Sequence, residues 1–229
     1  MYLNCHSAFS LKYGLLSPKT LVETAAAYGI ERLALADINS TSCAIEFISR
    51  CREVGIRPTV GISFWHHGAL QFVGLAKNAR GWAQLNSLLT AYSCGLEQQA
   101  PVPRDLSEAW IIYPCLHKPI EDFRDNEFLG IRPEHAGRLW GKRVLDFRDR
   151  LVAWSPATFL SAEDHQAHCI LRAIDQNRLI TALGPKDVAP PNDYLVSPQE
   201  MRRRYASYPF LLENAEQLLA ATKIELRPG

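Results

Sequence analysis

His6, Asp37 and Ser63 each close a short apolar run on a polar tip: Y-L-N-C-H-S, L-A-L-A-D-I-N-S and T-V-G-I-S-F. In a βα-repeat the carboxyl ends of successive strands line one face, and side chains placed there converge. Histidine and aspartate in that position suit metal-assisted hydrolysis. Such chemistry needs three or more protein ligands per metal and an open place for water. Beside His6, however, stands Asn4, a poor zinc ligand, and beside Asp37 stands Ile38, which cannot bind a metal at all. Two ligands do not hold a catalytic cluster of two or three ions.

Other reactive-looking residues have a plainer reading. His66 and His67 are adjacent, so in a strand they point to opposite faces. With Gly68 following, they read as a hairpin tip. His165 and His168 lie one turn apart on a helix, without the glutamate of an H-E-x-x-H pattern, and read as a solvated helix face. Arg202, Arg203 and Arg204 form a short basic run, of the kind that is usually solvated or an interdomain contact. No G-x-S-x-G, G-x-G-x-x-G or G-x-x-x-x-G-K-S/T occurs, which removes the main support for hydrolase, Rossmann or P-loop readings. A D-x-D motif for two magnesium ions is also missing from these residues.

The elements that must position the tips can be read in turn. Seven strand-like runs are expected at Tyr2–Cys5, Arg32–Ala36, Thr59–Ile62, Leu70–Ala76, Trp110–Tyr113, Glu127–Ile131 and Leu151–Trp154. Ser17-Pro18 opens a first helix that Gly29 ends. A second runs over Ala44–Val54 with Gly55 as its stop, and a third over Trp82–Tyr92. Strand and helix in alternation imply a parallel α/β sheet. Seven strands with polar ends predict a distorted (βα)7 barrel; an open doubly wound sheet is the alternative. Later, Ser161-Ala-Glu-Asp164 reads as a helix start running to about Gln176, and 184–192 as a loop. Ser197-Pro198 and Pro209 open two covering helices. Residues 1–195 are expected to form the barrel domain, and 196–229 a helical extension.

The chain has 229 residues, 47% of them hydrophobic, with 25 basic and 24 acidic side chains. That is enough for one sizeable core. A balanced charge leaves no electrostatic footprint for nucleic acid. Six cysteines without a C-x-x-C pair read as reduced, mostly buried thiols of a cytoplasmic protein. Neither a signal peptide nor a membrane-length apolar run is visible.

Several stretches occur in a familiar order: H-S-A-F-S-L-K-Y-G-L-L, L-A-L-A-D-I-N-S-T, G-I-R-P-T-V-G-I-S-F, L-A-K-N-A-R-G-W-A-Q-L-N, A-E-D-H-Q-A-H-C-I-L-R-A-I and P-Q-E-M-R-R-R-Y-A-S-Y-P-F-L-L-E-N-A. Together they resemble the N-terminal polymerase-and-histidinol-phosphatase (PHP) domain of bacterial DNA polymerase III alpha subunits. The resemblance implies a seven-stranded barrel that packs on the polymerase body and, in some members, meets the proofreading exonuclease. It also implies DNA-directed polymerase (nucleotidyltransferase) activity for the parent protein, in replication, with DNA reached only through the full polymerase and no membrane involved. Active members carry H-x-H at the first tip, where this chain has Asn4-Cys5-His6, and D-H at the second, where it has Asp37-Ile38. Ser63 stands for a glutamate, Gln71 for a histidine and Gly130 for an acid. The next expected histidine falls on Glu134 or, shifted by one, His135. Pro156 and Thr158 occupy a D-x-H. By this reading Asn4, His6, Asp37, Asn39, Ser63, Gln71 and Glu134 line a relic cleft, with His6 hydrogen-bonded to Asp37. No catalytic residue and no metal are expected. His6 and Asp37 are the weak metal candidates, and zinc, manganese or magnesium belong only if the cleft is still occupied. The expected function is a catalytically degenerate structural and interaction domain. The alternative is a metal-dependent phosphoesterase or pyrophosphatase, with a free-standing regulator binding a nucleotide or phosphate as a third option.

Overall fold

The computed structural model describes residues 1–95, 100–137 and 143–225. Seven strands form one sheet in chain order: β1 (Tyr2–Cys5), β2 (Arg32–Ile38), β3 (Arg57–His66), β4 (Ala69–Ala76), β5 (Ala109–Tyr113), β6 (Glu127–Ile131) and β7 (Leu151–Ala153). The sheet curls until its edges meet. Just beyond β7, His6 N donates to Ala157 O at 2.8 Å and Ala157 N donates to Asn4 O at 2.9 Å. This single bridge closes the distorted barrel.

The sheet is mixed rather than parallel throughout. β4 runs antiparallel to both β3 and β5, while the other pairs are parallel. The cause is local. His67 and Gly68 both take positive φ, 47° and 75°, and make a two-residue turn. Such a turn can join only antiparallel strands. The histidine pair therefore forms the expected hairpin tip. One residue of β4 is in excess, since Phe64 faces Phe72 while Trp65 faces Leu70. Gln71 is that bulge residue.

Helices cover the sheet. α1 (Pro18–Ala27) starts at Ser17, whose hydroxyl accepts from Thr20 N, and ends before Gly29 at φ 70°. α2 (Ala44–Glu53) and α3 (Ala79–Ser93) follow the second and fourth strands. α4 (Pro133–Ala136) is a single turn. α5 (His165–Gln176) begins three residues later than a Ser161 cap suggests: Asp164 accepts from the Leu160 and Ser161 amides instead of lying in the first turn. α6 (Pro198–Arg204) is capped by Ser197, and α7 (Phe210–Ala220) lays Leu211, Leu212, Ala215, Leu218 and Leu219 into the same core as the strands. Tyr205, fully buried, donates to Ile131 O at 2.7 Å and accepts from Trp154 N at 3.0 Å. The segment from residue 196 thus seals the sheet where β6 and β7 end.

Strands covered on both faces read as nearly continuous apolar runs, and Leu33–Ala36 and Val60–Phe64 follow that rule with Ser63 as the polar exception. A smaller apolar cluster of Tyr13, Phe159 and Ala189 lies apart from the main core, with Leu15, Ile38, Trp65 and Tyr194 against it. Of the cysteines, Cys5, Cys43 and Cys51 are buried, while Cys94 and Cys115 are exposed and Cys169 is half-buried. Half of the thiols, not most, are therefore hidden.

Candidate functional site

The small apolar cluster borders a cleft of about 510 Å³ at the carboxyl ends of the strands. His6 and Asn4, at the end of β1, form part of its floor. Both are nearly inaccessible, at 3% and 2%. His6 Nδ1 lies 3.1 Å from Thr158 Oγ1, and Nε2 lies 3.3 Å from Ser63 Oγ. Ser63 has one proton, and Ala36 O at 2.8 Å is its nearest acceptor. His6 Nε2–H then donates to Ser63, and Nδ1 accepts from Thr158. Burial, with His168 as a second and smaller cause, lowers the His6 pKa to about 3, so the ring is neutral at pH 7.

Asn4 Oδ1 lies 3.2 Å from the same Ser63 oxygen, and its Nδ2 has no partner. Turning the amide over would exchange the two atoms, a choice set by the hydrogen-bond network. With the Ser63 proton given to Ala36 O, only the turned-over amide bonds Ser63, through Nδ2, and in either orientation at least one buried amide atom of Asn4 is unsatisfied.

Asp37 does not meet His6, contrary to the expected pair. Its Oδ1 accepts from Ser7 N at 2.6 Å and Ser10 Oγ at 2.7 Å, and its Oδ2 accepts from Ser7 Oγ at 2.7 Å. The loop after β1 folds back over β2, and its two serines reach the carboxylate before the imidazole can. Burial pushes the Asp37 carboxyl above its ordinary pKa, and the three donors pull it back only in part.

The remaining expected members disperse. Asn39, at φ 44°, pairs both amide atoms with the Trp65 backbone at 2.9 Å and so extends the β2–β3 ladder. Gln71 bonds Ala69 O beside the hairpin. Glu134 is exposed and paired with Arg132 Nε at 2.7 Å. Of the seven expected residues the structure joins Asn4, His6 and Ser63 and turns the other four elsewhere. Among the described residues no three His, Cys, Asp or Glu side chains stand together as a metal site. Both nitrogens of His6 and both oxygens of Asp37 are already engaged by hydroxyls or an amide. The donor set does not fit the metals of an active member.

Sequence reasoning missed the residues that make the cleft walls. Tyr13, Trp65 and Trp154 are aromatic walls, and Arg132, Arg172, Lys186, Asp187 and Asp193 supply charge. Arg132 is paired with the buried Asp193. Burial raises the Asp193 pKa to about 6 even against Arg132. His168 is not on a solvated face, as its helix position suggested; it is fully buried. Its Nε2 accepts from Ala189 N and its Nδ1 donates to Tyr13 O, both at 2.8 Å. His165 Nε2 donates to Ala189 O at 2.9 Å. The two histidines thus clamp the 184–193 loop that forms one cleft wall. Burial lowers His168 to about 4, with the Tyr13 carbonyl opposing. Only the i,i+3 spacing of the pair hinted at this shared role. Two of the basic run are held within their own helix, Arg203 and Arg204 both bonding Glu200, while Arg202 is exposed. No helix among the described residues is long and apolar enough to cross a membrane.

Comparison with known proteins accords with this architecture. Residues 3–113 match the PHP domain. The error-prone DNA polymerase of Symbiobacterium thermophilum is 36% identical over 100 residues, 44% of this chain and 9% of that protein. The DNA polymerase III alpha subunits of Vibrio cholerae and Escherichia coli K12 are 25% and 27% identical, each over 100% of this chain and 23% of its own length. The chain therefore spans less than a quarter of the length of the curated relatives it matches. The chain is thus similar over its whole length to part of DNA polymerase III alpha subunits, and over residues 3–113 to the PHP domain.

Proposed function

We propose that this PHP domain is a catalytically silent structural and interaction module of a replicative DNA polymerase alpha subunit, working in the cytoplasm in DNA replication. One observation carries the reading: His6 and Asp37, the only surviving ligand types at the first two tips, are each held by serines or a threonine and not by one another. A metal-assisted hydrolase needs those lone pairs free for an ion. DNA-directed nucleotidyl transfer then belongs to other parts of the full-length protein, and DNA is reached only through them. The partners are those polymerase domains and the proofreading exonuclease subunit.

The test is phosphoesterase and pyrophosphatase turnover by this chain with added zinc, manganese or magnesium. The expected result is none above a protein-free control. Turnover that disappears in His6→Ala would restore the metal-dependent phosphoesterase reading. A companion measurement asks whether the chain binds a purified polymerase body or exonuclease subunit; binding to neither would remove the interaction role.

A further inference from the structure

We propose that the cleft binds a small planar organic anion, an aromatic or heteroaromatic ring bearing one carboxylate or phosphate, without a metal ion. The inference rests on the silent-domain reading of the same cleft. A volume of about 510 Å³ suits a small molecule, and aromatic walls with a few placed polar groups are what such sites use. Tyr13 stands edge-on to His6 and Trp65, at 5.7 and 5.2 Å between ring centroids, and Trp154 is part of the same lining. Flat rings favour flat partners in offset or edge contact.

The charges point to an anion. Arg132, Arg172, Lys186, Asp187 and Asp193 all line the cleft. Arg132 is neutralised by Asp193, and Arg172 by Asp175 at 2.7 Å. Asp187 is held by Arg178 at 3.2 Å. Lys186 lies exposed at the mouth and makes no ion pair among the described residues. A divalent cation would meet three basic side chains there, whereas an anion meets an available ammonium. The floor adds a second, independent sign. The amide of Asn4 and the indole Nε1 of Trp65, both on cleft-lining residues, are buried polar groups without a partner. Unsatisfied buried polar groups are uncommon enough to call for an explanation, and a polar ligand edge at the floor supplies one; the Trp65 indole is a donor in any case, whereas the Asn4 amide can turn either atom to it.

The test is calorimetric titration of this chain in EDTA with three probes: 4-hydroxybenzoate, deoxyadenosine monophosphate and inorganic phosphate. A ring-bearing anion should saturate with Kd below about 1 mM, and inorganic phosphate should bind at least about tenfold more weakly. The carboxylate and phosphate arms tell the two sources apart. Lys186→Glu, an exposed substitution whose melting curve verifies folding, should weaken the ring-bearing anion about tenfold or more, whereas Lys186→Arg should retain it. Failure of both ring anions to saturate by about 10 mM would overturn the proposal. So would equal affinity for inorganic phosphate, or indifference to Lys186→Glu. Because EDTA is present, the result is separate from the hydrolysis assay: metal-dependent turnover would sink the silent reading even if a ring anion binds, and lack of binding would leave that reading standing.

Discussion

Two buried carboxylates at opposite ends of the sheet are held by opposite means. Asp37, near the carboxyl end of β2, sees only the neutral hydroxyls and amide of Ser7 and Ser10. Glu127, at the start of β6, accepts from Lys118 at 2.7 Å, from the Arg124 amide and guanidinium, and from Tyr113 OH at 2.8 Å. Both side chains are hidden from solvent, and burial alone would raise both. It wins at Asp37, whose pKa rises, and loses at Glu127, which falls to about 2. The ion-pair network on Glu127 thus lies at the start of β6, away from the Asp37 tip. At the tip of β2 the partners of Asp37 are neutral hydroxyls and an amide, an arrangement that fixes the loop carrying Ser7 and Ser10 in place. At the other end ion pairs tie the start of β6 to Lys118 and Arg124 of the connection that precedes it.

Removing Glu127 should have the largest effect. Glu127→Ala strands two donors, the buried Tyr113 hydroxyl and the Arg124 amide, at a cost of about 3–5 kcal/mol, while the partly exposed Lys118 and Arg124 side chains can turn to water. For a domain of this size that lowers Tm by roughly 6–20 °C. Asp37→Asn should cost only about 1–2 kcal/mol, since an amide keeps an acceptor for the serines and strands no opposite charge. Thermal melts of the two variants decide the matter: equal losses would mean that Asp37 is held by a charge after all.

Asn39 offers an intermediate test on the tip side. Asn39→Ala removes two hydrogen bonds to Trp65 and puts a β-carbon-bearing residue without Asn's tolerance at φ 44°. A loss of about 2–3 kcal/mol is expected. Asn39→Gly relieves the backbone but not the missing bonds, so it should recover only about 1 kcal/mol. Full recovery in a urea unfolding series would mean that the bonds to Trp65 contribute little.

Acid sharpens the comparison further. His6 and His168 have folded pKa values of about 3 and 4, below the ordinary histidine value of 6.5. The unfolded chain therefore binds more protons below about pH 6.5, and stability must fall as the pH drops from there towards 4. Asp193, raised to about 6, acts in the other direction: its folded state holds the extra proton, so its contribution is lost as the pH rises from about 4 to 6. In His168→Gln the histidine's share of the acid slope disappears. The stability gap between wild type and variant should narrow steadily between pH 6.5 and 4, as read from urea midpoints. A constant gap would place His168 in contact with solvent.

Local chemistry made much of the fold legible. Ser17-Pro18 and Ser197-Pro198 begin helices because a hydroxyl cap and a proline's fixed φ act within four residues, and His67-Gly68 makes a turn for equally local reasons. The seven strands stood out as apolar runs. The site was harder to read because its bonds are long-range. Whether His168 faces solvent or Tyr13 depends on how α5 docks against a loop 155 residues earlier. The serines that claim Asp37 lie 27 and 30 residues before it, and nothing in L-A-D-I-N announces them. Lys186 and Asp193 sit in a proline-rich stretch that reads as an ordinary loop until His165 and His168 pin it beside the cleft.

The smallest expected effect is the change in Tm on chelation, and it bears directly on Asp37. Where a metal holds barrel strands together, ion binding is part of the folding free energy, and a chelator unfolds or softens the domain. Here the Asp37 oxygens are filled by Ser7 and Ser10, and the His6 nitrogens by Ser63 and Thr158. Melting curves with and without EDTA should therefore agree within about 2 °C, the shift that even about 1 kcal/mol would produce in a domain of this size. The same pair of curves on Asp37→Asn removes ambiguity, because that variant lacks the carboxylate an ion would need. Should the wild type drop on chelation while Asp37→Asn does not, the tip carboxylate binds a cation in solution. The contrast with Glu127 would then lie in which cation each carboxylate recruits, and not in whether it recruits one.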